Sequence, residues 1–286
     1  MMTSMVNDRS ILITGCSSGI GHGVAAGLKR RGYRVFATAR KREDVQRLLS
    51  EGFESLQLDV TDPASIRSAV SRVLAETGDR LYALFNNAGY GQPGAVEDLD
   101  RDTLRKQFET NLFGAHELTS LVLPAMRRRG EGRIIQNSSV LGLVTLKYRG
   151  AYNASKFALE GLTDTLRLEL EGTGIRVSLI EPGPIASHFR QNAYRAFREN
   201  LDTENSTHRK IYEAMVRRLT KEGAVVPFTL GPDAVLKKVI HALESKNPKA
   251  RYYVTFPTYL FGYARRLLPV AVLDWLLLKS SGAENR

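Results

Sequence analysis

The sequence is poor in the residues that build disulfides and metal centres. It has one cysteine, Cys16, and five histidines in 286 residues. A single cysteine excludes an internal disulfide and a thiolate zinc site, and it is consistent with a reducing compartment. No histidines fall at a metal-binding spacing such as H-E-x-x-H, so no metal site is predicted. No run of eighteen apolar residues exists, which excludes a simple membrane-spanning helix.

The amino-terminal stretch "MMTSMVNDRSILITG" also lacks the pattern of a signal peptide, so we expect a cytoplasmic protein. Lys and Arg number 41 against 30 Asp and Glu, a net charge of +11. The basic residues form short, scattered clusters and no aromatic-studded module, which favours a solvated basic surface over a nucleic-acid partner. The 43% hydrophobic and 25% charged content is that of an ordinary globular protein.

Short β-branched runs alternate with longer segments of helical periodicity. This alternation predicts an α/β fold, a doubly wound Rossmann domain whose parallel sheet is covered by helices on both faces. No linker or internal repeat divides the chain, so one domain with a core of about residues 10–255 is expected. The predicted strands are "SILIT", "YRVFATA", "ESLQLDV", "LYALFNN", "GRIIQNSS", "IRVSLIEPG" and "RYYVTF".

Two regions break the alternation. Residues 184–228 are polar, basic and partly helical, and they follow a strand end, where open α/β sheets bind ligands. We therefore predict a substrate loop there. The tail, residues 256–286, is apolar with a basic flank and is interrupted by Pro269 and Asp274. Three interpretations of the tail stay open: a docked helix, a dimer contact, or an interfacial membrane anchor.

The stretch "ILITGCSSGIG" is a strand that runs into a glycine-rich turn and then a helix. Gly15 permits the sharp turn, Gly19 leaves room for a pyrophosphate, and Gly21 allows close packing of helix on strand. The N–H groups and the dipole at a helix start bind phosphates. The strand before and the helix after make this turn a predicted dinucleotide site.

The end of the second strand bears on which dinucleotide binds. An NAD site needs a carboxylate there for the ribose diol, but Ala39 and Arg40 occupy the place, followed by Lys41. A guanidinium suits a 2′-phosphate, which favours NADP(H). The alternative is that Arg40 is only a surface residue.

The stretch "AYNASKFALEG" places Tyr152 and Lys156 four residues apart in a predicted helix. Side chains at this spacing are neighbours, so the ammonium can approach the phenol. A nearby cation favours the phenolate and lowers the tyrosine pKa toward the range useful for acid–base catalysis. Taken alone, the pair is better explained as a packed tyrosine and a solvated lysine, because Y-x-x-x-K is common by accident.

Several motifs in order decide between these interpretations. They are "TGCSSGIG" (14–21), "LDV" (58–60), "NNAG" (86–89), Asn111, "NSSVLG" (137–142), "YNASK" (152–156) and "EPGPIAS" (181–187). With them the sequence resembles the short-chain dehydrogenases/reductases, collinearly over about residues 10–254. It looks closest to bacterial NADP-dependent aldehyde reductases and to the steroid and retinol dehydrogenase branch.

The resemblance implies a role for each matching residue. Tyr152 would be the proton donor or base, Lys156 would lower its pKa and contact the nicotinamide ribose, Ser139 would orient the carbonyl, and Asn111 would hold a water leading from Lys156 to solvent. Strand alternation lets only one of Ser138 and Ser139 face the cleft, and the motif selects Ser139. The implied cofactor residues are Gly15, Ser17, Ser18, Gly19, Ile20, Gly21, Arg40, Asp59 (adenine), Asn87, Ala88, Gly89, Tyr152, Lys156, Pro182, Gly183, Ile185 (nicotinamide amide) and Ser187.

The resulting prediction is an NADP(H)-dependent oxidoreductase acting on a carbonyl or alcohol. The branch resemblance, the apolar tail and the segments "VLGLVTL" and "FTLG" favour a hydrophobic aldehyde or ketone of retinoid, steroid or lipid type. An NAD-dependent alcohol dehydrogenase and a non-catalytic NADP sensor are the alternatives. The partners considered are a second copy of the chain, in a homodimer, and a membrane surface that the tail contacts peripherally. No role is assigned to Cys16 or to His188.

Overall fold

The computed structural model describes residues 9–221, 223 and 226–284. Residues 1–8, which contribute to the signal-peptide prediction, lie outside the described residues. Within the described chain, seven strands form one parallel sheet. They are β1 (Ser10–Ile13), β2 (Arg34–Ala39), β3 (Glu54–Gln57), β4 (Ala83–Asn86), β5 (Gly132–Asn137), β6 (Ile175–Glu181) and β7 (Arg251–Tyr253). Their order is β3-β2-β1-β4-β5-β6-β7.

The strands are linked by helices, as parallel pairing requires. Within the described residues the helices are α1 (Gly19–Arg30), α2 (Arg42–Ser50), α3 (Pro63–Thr77), α4 (Arg101–Phe108), α5 (Gly114–Arg129), α6 (Gly150–Glu169), α7 (Phe189–Asn200), α8 (Arg209–Thr220), α9 (Asp233–Glu244), α10 (Phe256–Leu267) and α11 (Val270–Glu284). A π-helical turn, Glu109–Phe113, joins α4 to α5.

Alternate side chains of the strands enter two separate cores. Ile11 and Ile13 of β1 pack in the core that contains α1, α2 and α9. Leu12, between them, packs in the core that contains α3, α5 and part of α6. Both faces of the sheet are therefore covered, and a ligand can reach the strands only at their ends.

The topology places the ligand-binding crevice beside β1. From β1 the chain builds outward through β2 to β3, and then returns to pair β4 with the other side of β1. In open α/β sheets, ligands bind at such a reversal of strand order, outside the carboxyl ends of the strands. The glycine turn follows β1 and the "NNAG" segment follows β4, so the two lie side by side at this crevice.

The substrate-loop region forms a small packing unit above this edge. α7 and α8 bury Phe197, Tyr212 and Met215 together, and Ala95 of the segment after β4 joins them. The Tyr212 hydroxyl accepts a hydrogen bond from the Ala95 N–H at 2.9 Å and donates to Asp98. The loop region is thus attached to the carboxyl edge, as predicted for residues 184–228; of these, Glu222, Ala224 and Val225 lie outside the described residues.

The tail docks against the segment that follows β5. Leu273 and Leu277 of α11 pack with Val144 and with Ala264 of α10. The Ser281 hydroxyl accepts a hydrogen bond from the Lys147 N–H at 3.3 Å. Asn285 and Arg286, the last residues of the predicted tail, lie outside the described residues. No helix in the described part of the chain is long and apolar enough to cross a membrane.

The structure confirms the predicted fold class, and all seven predicted strands are present. Their ends were predicted less well: "ESLQLDV" pairs only over Glu54–Gln57, and "RYYVTF" only over Arg251–Tyr253. The residues beyond each pairing segment leave the sheet to line its carboxyl edge. The π-helical turn was not foreseen, because its sequence continues a helical pattern on both sides.

Candidate active site

The glycine turn adopts a backbone that only glycine accepts readily. Gly15 has φ +71° and Gly19 has φ +57°. α1 begins at Gly19, and Ser18 at its N-cap makes no side-chain capping bond. The first N–H groups of the helix are therefore not occupied by a cap, and together with the helix dipole they fit an anionic ligand such as a pyrophosphate.

Backbone atoms pack so closely at Gly21 that no side chain would fit. A Cβ there would lie 2.2 Å from the Gly15 carbonyl oxygen and 2.6 Å from Asn87 Nδ2. A Cβ on Gly19 would lie 2.8 Å from Ser187 Cβ. The loop after β6 therefore lies directly over the glycine turn, and the two form opposite walls of one crevice.

The ends of β1, β4 and β5 are tied together by side chains of the predicted "NNAG" motif. Asn87 Nδ2 donates to the Thr14 carbonyl at 2.9 Å, and the Thr14 hydroxyl accepts from the Asn87 and Ala88 N–H groups. Asn137 donates to Asn87 Oδ1 at 3.0 Å. Asn87 and Ala88 thus fix the crevice wall, and Gly89 follows them beside Asn111.

Two cations lie near the predicted 2′-phosphate position. Arg40 follows β2, is exposed, and its side chain makes no hydrogen bond or ion pair with any described residue. Arg47 of α2 donates to the Ser17 carbonyl at 2.6 Å, which brings a second guanidinium to the glycine turn. Asp59, after β3, accepts from the Thr61 N–H and hydroxyl. The sequence analysis missed Arg47, because its helical position shows no motif.

Tyr152, Ser139 and Lys156 converge at the carboxyl end of β5. The Ser139 hydroxyl lies near enough to the Tyr152 hydroxyl to lower its pKa, and Ser139 Oγ accepts from the Leu141 N–H at 3.1 Å. Lys156 Nζ donates to the Asn137 carbonyl at 2.7 Å and lies 5.7 Å from the centroid of the Tyr152 ring. The hydroxyl pair and the ammonium therefore belong to one cluster.

The pKa values of Tyr152 and Lys156 are both shifted. Burial raises the pKa of Tyr152 to about 12, and the nearby Ser139 hydroxyl opposes this only in part. Burial desolvates the phenolate, and the Lys156 ammonium bonds to the Asn137 carbonyl instead of the phenol. Lys156 is not among the causes of this shift, so its predicted lowering of the tyrosine pKa stays a prediction. Burial also lowers the pKa of Lys156 to about 8, against the opposing charge of Glu160.

Ser138 and Ser139 point to different surroundings, as strand alternation requires. The Ser139 hydroxyl lies near the Tyr152 hydroxyl. Ser138 lies beside Glu160, since atoms of both would approach a Cβ on Gly142 within 3.0 Å. The geometry thus places Ser139 next to Tyr152 and Ser138 away from it.

Asn111 lies in the π-helical turn and is almost fully buried. Its carboxamide accepts from the Tyr90 N–H at 3.1 Å and donates to the Tyr90 carbonyl at 2.9 Å and to the Ser155 hydroxyl at 3.1 Å. The side chain therefore holds the segment after β4 against α6. A water bound by that side chain, as the resemblance implied, would compete with three existing bonds.

The remaining predicted cofactor residues line the loop after β6. The Pro182 carbonyl accepts from the Val140 N–H at 2.8 Å, and Gly183 packs against Thr255. Ile185 packs on the core containing α1, and Ser187 covers Gly19. This loop joins the segment after β5 to the glycine turn.

Phe189 is a further neighbour of Tyr152 that the sequence analysis did not identify. The two rings meet edge to face with centroids 5.4 Å apart. Phe189 also packs so closely on Gly91 that a Cβ there would lie 2.8 Å from its ring. The side of the tyrosine that faces the substrate loop is therefore aromatic.

Cys16 is buried and donates to the Ile13 carbonyl at 3.3 Å. Burial raises the pKa of the Cys16 thiol to about 12, so the reactive thiolate is rare at neutral pH. This agrees with assigning no functional role to Cys16. His188, exposed at the start of α7, makes no side-chain capping bond.

Comparisons with known proteins identify the family. A family model described as short chain dehydrogenase matches residues 9–197. The chain therefore belongs to the short-chain dehydrogenase family. A crystal structure of a short-chain dehydrogenase from Streptomyces avermitilis is similar over 98% of this chain and 99% of that chain, with a TM-score of 0.77 and 28% identity.

Curated relatives cover nearly the whole chain. The uncharacterized oxidoreductase YbbO of Escherichia coli K12 is 45% identical, over 97% of each chain. An NADPH-dependent 3-dehydrocapnine reductase of Ornithobacterium rhinotracheale is 33% identical, over 95% of this chain and 96% of its own. Human 17-beta-hydroxysteroid dehydrogenase type 1 is 35% identical, over 86% of this chain and 77% of its own. The predicted resemblance to the steroid dehydrogenase branch is thereby confirmed.

The glycine turn yields a stability prediction. Gly21→Ala is expected to lower the free energy of unfolding by about 1–3 kcal/mol, because the nearest atoms to the new methyl are backbone. Gly161→Ala is the matched control: this glycine is in α6, with nothing within 4 Å of a Cβ. Gly161→Ala should raise the free energy of unfolding by about 0.5–1 kcal/mol. Urea denaturation measures both, and a Gly21→Ala protein as stable as wild type would contradict the packing argument.

Proposed function

We propose that the protein is an NADP(H)-dependent oxidoreductase that transfers hydride between the nicotinamide and a hydrophobic aldehyde, ketone or alcohol. The observation that carries the proposal is the convergence of Ser139, Tyr152 and Lys156 beside the glycine turn, at the carboxyl edge of the sheet. A hydroxyl pair backed by an ammonium is the donor set that a carbonyl oxygen needs as negative charge develops on it.

Each residue of the cluster has a separate task. Ser139, anchored through the Leu141 N–H, would hold the substrate oxygen. Tyr152 would donate a proton to that oxygen during reduction and accept it during oxidation. Its raised pKa keeps the phenol protonated at neutral pH, which suits the reductive direction. Lys156 would stabilise the phenolate that remains, and Asn111 fixes the helix start on which both lie.

The residues of the glycine turn fit the cofactor. The N–H groups at the start of α1 would bind the pyrophosphate, Gly19 leaves room for it, and Gly21 lets the helix pack closely on the turn. Ser17, Arg40 and Arg47 would surround a 2′-phosphate, Asp59 would lie toward the adenine, and Ile185 and Ser187 would border the nicotinamide. When bound, the cofactor supplies the hydride.

The NADP(H) preference has its support in charge. An exposed Arg40 side chain directly after β2, where a diol site would need a carboxylate, and the Arg47 guanidinium beside Ser17, which also pairs with Asp44 at 2.9 Å, favour a 2′-phosphate over a free diol. The 33%-identical reductase named NADPH-dependent points the same way. An NAD-linked dehydrogenase of the same fold is the main alternative.

Arg40→Asp tests this preference directly. The substitution is expected to weaken NADPH binding about tenfold or more, since one charge-assisted contact is lost and a repulsion is added, while NADH binding stays equal or improves. Arg30→Asp, an exposed change of the same charge at the far end of α1, is the control. Titration calorimetry measures both cofactors. Wild-type affinity for NADH equal to that for NADPH would contradict the preference.

The substrate side of the site is apolar. Phe189 contacts Tyr152, and the segment after Ser139 adds the apolar residues Leu141 and Leu143. Phe228 and Phe256, both exposed, contact each other with ring centroids 5.0 Å apart, joining the substrate loop to α10. A hydrophobic carbonyl compound of steroid, retinoid or lipid type is the substrate class that such walls favour.

Turnover tests the activity. NADPH consumption is measured with lipophilic aldehydes, retinal, steroids and small polar carbonyls, with NADH in parallel. We expect turnover of lipophilic carbonyls with NADPH, and a loss of at least about 100-fold in Tyr152→Phe, because the phenol is the proton donor. The variant should keep its NADPH affinity. Activity confined to small polar sugars would reject the substrate class, and an unaffected Tyr152→Phe protein would favour a cofactor sensor.

The tail supports a second part of the proposal, peripheral contact with an anionic lipid surface. α11 is apolar around most of its circumference, but only one side is covered by the protein. Leu273 and Leu277 face inward, whereas Val272, Trp275 and Leu278 are exposed. α10 adds an exposed apolar row of Tyr259, Leu260, Tyr263 and Leu267. A helix with apolar residues on its uncovered side favours a second apolar environment.

Charge distinguishes a bilayer from a second copy of the chain. Arg265, Arg266 and Lys279 are exposed on the same two helices, and Asp274 is the one exposed carboxylate among residues 256–282, the part of these helices whose side chains the structure describes. Lys279 Nζ lies 4.0 Å from the Trp275 ring centroid. Self-association of this face would bring basic side chains together, whereas anionic headgroups would neutralise them. The expected location is therefore cytoplasmic and peripheral to the membrane.

Vesicle flotation tests the lipid contact. The wild type should float with vesicles containing phosphatidylglycerol and far less with pure phosphatidylcholine. Leu267→Glu/Trp275→Glu should weaken the binding at least about tenfold, because buried apolar area is replaced by charge. Leu168→Glu, an exposed leucine on α6, is the control. Equal flotation of all three proteins, or a wild-type dimer that the double variant dissociates, would reject this part of the proposal.

A further inference from the structure

The face of α6 that bears Tyr152 and Lys156 continues into a buried carboxyl cluster. Glu160 follows Lys156 by four residues, as Lys156 follows Tyr152, so the three lie along one side of the helix. Glu160 is only 6% exposed. Carboxylates are rarely buried to this extent unless they are paired, so a partner is expected.

The partner is Arg251 of β7, and it is shared. Arg251 Nη1 bonds to Glu160 Oε2 and, at 2.6 Å, to Oε1 of Glu181, the last residue of β6. Glu181 is 0% exposed. Arg251 Nη2 bonds to Asp164, which also lies near Arg167 of the same helix. One guanidinium, on a side chain that is 23% exposed, thus serves three carboxyl groups.

Two carboxylate oxygens of the cluster have no hydrogen-bond donor among the described residues. Glu160 and Glu181 share Arg251 Nη1, burial raises the pKa of both carboxyl groups, and the charge of Glu160 raises that of Glu181 further. Glu160 Oε1 and Glu181 Oε2 are both buried and receive no donor from any described residue. Two buried carboxylates that share one guanidinium cannot both ionise readily, and a proton on one of them removes the repulsion.

The charge that remains acts on Lys156. Lys156 Nζ donates its hydrogen bond to a neutral group, the Asn137 carbonyl, and burial lowers the pKa of this lysine to about 8. The Glu160 carboxylate is the one charge that opposes this shift. The other groups that face Lys156 and Glu160 are Asp164 on α6, Ser138 after β5, Glu181 on β6, and Arg251 and Tyr253 on β7.

We propose that Glu160 is a positioning residue that keeps Lys156 charged, and that Glu181 carries the proton that leaves the Glu160–Glu181 pair with a single negative charge. The role of Lys156 in the proton chemistry, on which this inference rests, is the proposed function above. Arg251 fixes both carboxyl groups at the ends of their elements, and Glu160 transmits the charge along α6 to Lys156.

The test compares two neutralised carboxylates that share the same arginine. Glu160→Gln should move the alkaline limb of the kcat/KM profile for carbonyl reduction about one pH unit toward acid, because Lys156 loses its proton earlier. Asp164→Asn neutralises another carboxylate that contacts Arg251. Because Asp164 lies two helical turns from Lys156, this change should leave the alkaline limb in place. A purely structural role predicts instead that both variants lose stability and neither moves the limb.

Two further variants complete the test. Glu160→Asp keeps the negative charge but places it farther from Lys156, because the side chain is shorter. The alkaline limb should therefore move in the same direction by less. This variant replaces Glu160→Gln if that protein does not fold. Glu181→Gln mimics a protonated carboxyl and should keep the wild-type limb. A shift in Glu181→Gln as large as in Glu160→Gln would overturn the proton assignment, and coincident profiles of wild type and Glu160→Gln would overturn the role of Glu160.

The pH dependence of NADPH affinity provides a second readout, because it needs no turnover. The charge of Lys156 should contribute to binding of the anionic cofactor, so the affinity should fall at a lower pH in Glu160→Gln than in wild type or Asp164→Asn. Absence of wild-type turnover with every carbonyl would count against the proposed function alone. Identical affinity profiles in all three proteins would count against the inference.

Discussion

The coverage of both sheet faces is the constraint on which the rest of the structure depends. Because helices fill the two cores, the strands are accessible only at their ends, and the reversal of order beside β1 opens a crevice at the carboxyl edge. The glycine turn, Asn87, Ser139 and the loop after β6 all directly follow strands. Their meeting is therefore a consequence of topology, and the contacts among them, such as Ser187 over Gly19, are local refinements of it.

Burial then shapes the chemistry of this edge in two opposing ways. It raises the pKa of Tyr152 and lowers the pKa of Lys156, so each residue is pushed toward its neutral form. A neutral phenol is a usable proton donor, but a neutral amine cannot stabilise the phenolate left behind. The buried carboxylate of Glu160 meets this requirement, and the cost of burying that carboxylate is in turn reduced by Arg251. The proton chemistry thus extends beyond the residues that would touch a substrate.

Local patterns were sufficient to predict the fold class, the glycine turn and the Tyr152–Lys156 pair, because each depends on residues close in sequence. The carboxyl cluster could not be predicted in this way. Arg251 lies 91 residues from Glu160 and 70 from Glu181, and only the sheet order brings β7 beside β6. The roles of Phe189 and Arg47 could not be predicted either, because their contacts with Tyr152 and Ser17 also join residues distant in sequence. The effect of burial on the pKa of Tyr152 could not be predicted for a related reason, since desolvation depends on packing that no spacing reports.

The substrate loop and the tail are connected at the rim of the crevice, and this connection links the two parts of the proposed function. Phe228 of the loop meets Phe256 at the start of α10, and both rings are exposed. The apolar surface of α10 and α11 thus begins where the loop ends. A lipophilic substrate has low solubility in water and accumulates in lipid, so an enzyme that acts on it gains from having its binding region next to a lipid-contacting surface. The basic residues of the tail would hold that surface in place without a membrane-spanning segment.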